Sequence, residues 1–246
     1  MKNMMKKSAI ALAILGMATA ASAKGYNEVD VTDGGSFVGT VAAGEAKADT
    51  RTYTISKDPQ ICGEGSREVP FVQINENGTL AGAVVFLADI EEGKAMPEEL
   101  MKLTIDQEKC EFSPALGVMA NTGELTAINN DGTLHNIHMY EQIGKARKTV
   151  LNVSQPNQGD VLTKDIKLRR GNGMKVECDA HDFMHAFVYV AKTPYFSVVD
   201  DTGAFSITDI PAGTYKVMMW HGFLGEQKVG EITVDAGGEV SMDLSY

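Results

Sequence analysis

The residues in this chain whose types and spacing could do chemistry are Cys178, His181 and Met184, set at C-x2-H-x2-M within Cys178-Asp179-Ala180-His181-Asp182-Phe183-Met184. A thiolate, an imidazole and a thioether are three donors that copper accepts. Some forty residues upstream, Leu134-His135-Asn136-Ile137-His138 offers a second imidazole through His135. Two imidazoles and a thiolate around one ion, with a weak axial thioether, suit both Cu(I) and Cu(II), so that an electron moves with little reorganisation. Zinc would more often recruit a further cysteine or histidine, and Met184 is the residue that tilts the choice to copper. Each residue also has a plainer use: a buried apolar thiol, an exposed imidazole, a methionine that fills core.

Three cysteines in an exported chain leave one unpaired. Cys62 and Cys110 both stand in polar, turn-like surroundings and are expected to form a disulfide, which leaves Cys178 for metal. Export is read from the N-terminus. Lys2, Lys6 and Lys7 precede an apolar run from Ala9 to Ala18, and Ala21-Ser22-Ala23 is a small-residue cleavage site. Residues 1–23 are therefore expected to be a signal peptide, and the mature chain a soluble periplasmic or otherwise exported protein with no membrane span. Cleavage removes three lysines and no acid and moves the formal charge from −11 to −14. Such an acidic chain is poorly suited to nucleic acid, and it favours solubility or a basic protein partner.

Most of the mature chain reads as short strands. Runs such as Gly35 to Val41, Val69 to Ile74 and Leu80 to Asp89 are divided by Gly, Asn and Asp. Glu124 to Asn129 alternates as a half-buried strand should, and it delivers the chain toward His135. Glu91 to Lys102 is interrupted by Gly93 and Pro97, which predicts a loop with a helical turn. Cys178 ends one strand and Ala186 begins another, so that the candidate ligands fill a strand-loop-strand connection. Residues 193–246 read as a further small β unit. The boundary is soft, because strands from 35–90 suit that unit as well as the central one. Many short strands with Gly-rich turns imply an all-β sandwich or barrel.

The Cys178–Met184 stretch resembles the ligand loop of the cupredoxins, in its short amicyanin-like form, and His135-Asn136-Ile137-His138 is similar to the cupredoxin H-N-x-H segment. The resemblance implies His135, Cys178, His181 and Met184 as metal ligands, with the Asn136 side chain tying the two ligand loops together. It departs from the amicyanin pattern at Asp182, where proline is usual. The tail resembles the carboxypeptidase regulatory-like, or transthyretin-like, sandwich through Asp201-Thr202-Gly203-Ala204-Phe205 and Ile210-Pro211-Ala212-Gly213-Thr214-Tyr215. The implied architecture is all-β: a Greek-key cupredoxin-like sandwich over 24–192 and a second small β-sandwich over 193–246.

The function expected from this reading is a mononuclear type 1 copper protein. It would hold one copper per chain, cycle between Cu(I) and Cu(II), and pass single electrons to a basic redox protein such as a cytochrome. Enzymatic activity is not expected. Cys178 is followed by Asp179 rather than histidine, no H-x-H pair occurs, and no nucleophile-elbow or H-E-x-x-H pattern appears. His138, His185 and His221 are read as structural or surface residues. The alternatives are a copper-binding storage or delivery protein, encouraged by thirteen methionines, and a non-redox structural β-sandwich.

Overall fold

The computed structural model describes residues 25–246, so the expected signal peptide lies outside the described residues. The first half of the chain forms β1 (Asn27–Glu28), β2 (Gly35–Ala42), β3 (Asp49–Thr54), a helical turn α1 (Pro59–Cys62), β4 (Ser66–Val72), β5 (Ala83–Ala88) and β6 (Glu92–Gly93). A single 3-10 turn, Glu98–Met101, occupies the stretch where Gly93 and Pro97 preclude a packed helix. Next come β7 (Lys102–Glu108), β8 (Glu111–Ser113), β9 (Leu116–Ala120), β10 (Glu124–Asn129), β11 (His135–Ile143), β12 (Ala146–Gln155), β13 (Val161–Asp165), β14 (Gly173–Glu177) and β15 (His185–Ala191). The chain closes with β16 (Phe196–Val198), β17 (Ala204–Ile210), β18 (Gly213–His221), β19 (Gly225–Val234), β20 (Glu239–Ser241) and β21 (Leu244–Ser245). The architecture is all-β. Among the described residues no helix is long and apolar enough to cross a membrane.

Four larger sheets organise these strands. Two, in the orders β13-β10-β7-β8 and β12-β11-β14-β15-β9, enclose an apolar core that includes Ile105, Leu125, Ile137, Met139, Val176 and Val188. The other two, β16-β5-β18-β19 and β17-β2-β20, enclose a second core around Phe37, Leu80, Val85, Leu87, Val217 and Ile232. The N-terminal strands β2 and β5 thus share sheets with the C-terminal strands. The chain starts in this second stack, builds the first, and returns.

Alternation along the strands explains how the stacks meet. In β5, Ala-Val-Val-Phe-Leu-Ala, Val85 and Leu87 face the second core while Val84 and Phe86 face the other way, into a third cluster with Tyr189, Ala191 and Trp220. In β15, Val188 and Val190 face the first core while Tyr189 and Ala191 face this same cluster. Both strands are buried on both faces, which is why they read as continuous apolar runs. Tyr189 sits with its ring centroid 5.6 Å from both Phe86 and Trp220, filling the joint. Gly173 is required there, because a Cβ would lie 2.4 Å from the Trp220 indole.

His221, at the end of β18, is buried, and its Nδ1 accepts the N–H groups of Phe223 and Leu224 at 3.2 and 3.3 Å. Burial lowers its pKa to about 4, against the opposing hydrogen bond with the backbone of Ala81. The folded pKa lies below the unfolded value, so His221 stabilises the fold fully above about pH 6.5, and that contribution is lost as pH falls toward 4. By pH 5 the loss is about 2 kcal/mol. Thermal midpoints at pH 7 and pH 5 for the native chain and for His221→Gln test this. The variant should lose distinctly less on acidification; an equal loss would remove His221 as a cause.

Candidate metal site

His135 opens β11, immediately after the turn Asn130-Asp131-Gly132-Thr133-Leu134, and Cys178 and His181 lie in the loop between β14 and β15. Because β11 pairs antiparallel with β14, with His138 opposite Glu177, the start of one strand meets the end of the other. The Nδ1 atoms of His135 and His181 approach to 3.1 Å, and Cys178 Sγ lies 3.9 and 3.8 Å from them. All three residues are buried.

The outer nitrogens are also occupied. His135 Nε2 is 2.7 Å from Asp131 Oδ2, and His181 Nε2 is 3.1 Å from Asp58 Oδ2. A carboxylate beside Nε2 favours a proton there, so that Nδ1 either donates toward Cys178 Sγ or turns its lone pair to a cation. Two imidazole nitrogens and a sulfur therefore converge on one point, held together by a shared proton or by a cation between them. Burial opposes ionisation of Cys178, but hydrogen bonds from His135, His181 and the backbone N–H groups of Asn136 and Ala180 lower its pKa to about 6. The sulfur is then mostly thiolate at neutral pH, the form that binds metal. Burial likewise works against protonation of His135, but its hydrogen bonds with Cys178 and Asp131 outweigh this and raise its pKa. The donor set fits a thiophilic cation.

Asn136 connects the two segments. Its backbone N–H points at Cys178 Sγ at 3.4 Å, its Oδ1 accepts the N–H of Asp179, and its Nδ2 reaches Asp179 Oδ2 at 3.3 Å and Asn152 Oδ1. His138 stands apart from the cluster, with Nδ1 3.1 Å from the Asp179 carboxylate and 2.9 Å from the Tyr140 hydroxyl. His185 lies beside Tyr53 and Phe71.

Cys62 and Cys110 are joined in a disulfide. Their partners position the outer carboxylates. Asp58 precedes the α1 turn that carries Cys62, in a left-handed conformation at φ 48°. The Asp131 carboxylate accepts the backbone N–H groups of Lys109 and Cys110, both at 2.7 Å. Neither Asp58 nor Asp131 stands out in the sequence as part of a site. Asp58-Pro59 and Asp131-Gly132 read only as turn signals, and the four-residue step from Asp131 to His135 is the one local hint.

The expectation of a type 1 copper centre serving as a one-electron carrier is overturned by the grouping of the donors. Among the described residues three sets of metal-ligating groups converge: His135, Cys178 and His181; Cys62, Cys110 and His181; and Cys110, Asp131 and His135. Two of the three draw on sulfur already committed to the disulfide, and none is accompanied by a methionine. Met184, expected as the axial thioether, is 1% exposed and belongs to the apolar core with Phe183, Ala186 and Val188. Its plainer use as core filler is the one realised. One copper ion per chain cycling between two oxidation states is withdrawn, and with it the assignments of copper, metal binding and electron transport on that basis. The basic cytochrome-like partner loses its premise.

A family model described as polysaccharide lyase family 4, domain II, matches residues 180–242. No curated protein matches the chain. Among solved structures, a novel purple cupredoxin from Nitrosopumilus maritimus is similar at 19% identity with a TM-score of 0.31, over 36% of this chain and 98% of that one. Amicyanin from Paracoccus versutus is similar at 13% identity and a TM-score of 0.31, over 49% and 98% of the two chains. The copper-containing nitrite reductase from Thermus scotoductus aligns at 12% identity and a TM-score of 0.30, over 40% of this chain and 23% of its own. These are partial likenesses at low identity, and the chemistry rests on this chain's own side chains.

Proposed function

We propose that this protein is an exported copper-binding protein of the storage or delivery kind, and that His135, Cys178 and His181 hold the cargo. The observation that carries the reading is the convergence of Nδ1, Nδ1 and Sγ while both Nε2 atoms face carboxylates. Thiolate and imidazole together favour Cu(I) over harder cations. Asn136 links the two loops that carry these ligands. The C-terminal stack, joined to the first through the cluster around Tyr189 and Trp220, acts as a scaffold in this reading.

Delivery requires a way in. A cleft of about 200 Å³ is lined by Ser56, Lys57, Asp179, Ala180, His181, Asp182 and Phe183, so one ligand borders it directly. Asp179 and Asp182 supply negative charge at its wall, which draws a cation toward His181. Lys57 donates to the carbonyl of Ala180 at 3.2 Å and holds the two walls together.

The test is a competition titration of Cu(I) against a chelator of known affinity, with the native chain and Cys178→Ser. Binding is expected in the native chain and should weaken in the variant by at least the roughly 10–100-fold that loss of an outer-shell partner costs, because one of three ligands is gone. No binding, or equal binding by both chains, would leave the structural sandwich as the reading.

A further inference from the structure

The disulfide stands directly behind the imidazole pair. The sulfurs of Cys62 and Cys110 and a ring nitrogen of His181 all lie within 4.8 Å of one another. All three residues are buried. We infer that this disulfide masks a second metal site, and that its reduction exposes a dithiolate-imidazole set of Cys62, Cys110 and His181 for a thiophilic ion such as Cu(I), Zn(II) or Cd(II).

A dithiol reductant supplies the chemistry. Its thiolate attacks one sulfur of the pair, the resulting mixed disulfide is resolved by its second thiol, and it leaves as a disulfide. Two electrons and two protons pass to Cys62 and Cys110. Metal binding then displaces those protons from the two thiols.

Such a site needs cysteines that stay together once the covalent bond is gone, and the structure provides for this. Arg67 donates to the carbonyls of Cys62 at 2.7 Å, Cys110 at 2.6 Å and Lys109 at 3.0 Å, while its guanidinium lies 4.9 Å over the Phe183 ring. The backbones of both cysteines are thus clamped by one side chain, independently of the sulfur–sulfur bond. Asp131 holds the Cys110 N–H at 2.7 Å, and α1 holds Cys62 through its N–H to the Asp58 carbonyl at 2.9 Å. Metal–sulfur bonds of about 2.3 Å in tetrahedral geometry place two sulfurs roughly 3.8 Å apart. Side-chain rotation reaches that separation without moving the clamped backbone. Asp58, which holds His181 in the oxidised chain, is close enough to that imidazole at 3.1 Å to share the new site's surroundings.

This inference adds a second site to the proposed one, and it shares only His181 with it. It is therefore tested in the Cys178→Ser background, where the first site is disabled, with Cd(II) as the probe and a phosphine as the reductant. The oxidised C178S chain should show no thiolate-to-Cd(II) ultraviolet band, and the reduced chain should bind one equivalent with that band. Adding Cys62→Ala and Cys110→Ala should abolish it, and adding His181→Ala should weaken binding at least about tenfold. Circular dichroism checks that the β signal persists, and the thermal midpoint of the reduced C178S chain should rise with Cd(II). The inference is overturned if reduced C178S binds no Cd(II), if His181→Ala has no effect, or if binding begins only once the β signal is lost. Cu(I) titration of the oxidised native chain judges the first site separately.

Discussion

Replacing Cys62 and Cys110 together by alanine lowers the free energy of unfolding by about 4 kcal/mol and the thermal midpoint by roughly 8–16 °C. The crosslink joins residues 48 apart in sequence, and the entropy that a closed loop of this length removes from the unfolded chain accounts for the figure. Both residues are buried in the first core beside Ile105 and Phe112, so loss of their sulfurs adds a packing cost. The crosslink also ties the β3–β4 hairpin, which carries Asp58 toward His181, to the β7–β8 turn, which Asp131 holds against His135. Denaturant unfolding of the two chains measures the effect. A change below about 1 kcal/mol would show that Arg67 and the β3–β4 pairing alone hold these segments, against the loop-entropy expectation.

Replacing Asp131 by alanine costs about 3 kcal/mol in stability and weakens metal binding roughly 10–100-fold. Its carboxylate accepts three bonds, from Lys109 N, Cys110 N and His135 Nε2, each at 2.7 Å. Asp131 is only 5% exposed, so water replaces little of what the variant removes. Without this acceptor the His135 ring is free to turn and to place its proton on Nδ1, where it competes with the cation. Asp131→Asn keeps the size and one acceptor oxygen, and should retain more of the fold than of the metal affinity. Chemical unfolding with a parallel Cu(I) competition separates the two effects. Unchanged affinity in Asp131→Ala would mean that the ring is held by packing alone.

The sequence carried the periodicity well. Glu124 to Asn129 alternates polar and apolar residues and is strand β10, and the punctuation by Gly93 and Pro97 leaves a short 3-10 turn where a helix-favouring composition stood. Cys62 and Cys110 were legible as a disulfide pair from their turn-like settings and the odd count of cysteines. Met184 was misread because a thioether at loop spacing looks the same whether it faces an ion or a core, and the direction of one side chain depends on packing from strands far away in sequence. Asp58 was invisible for a related reason. It reaches His181 across 123 residues of chain, through a hairpin whose position over the ligand loop no local pattern encodes.

What the sequence determined by itself is therefore the inventory: an all-β chain, a thiol and an imidazole in one connection, and a second imidazole at the head of a neighbouring strand. Strand period and turn chemistry are local properties, and local properties survive in one dimension. Only the tertiary structure decided which atoms meet. It brought both Nδ1 atoms and Cys178 Sγ together, set carboxylates behind the imidazoles, buried Met184 in the core, and placed the disulfide against the rear of the cluster. Those outcomes depend on sheet pairing and long-range packing, which fix distances between residues that the chain itself keeps far apart.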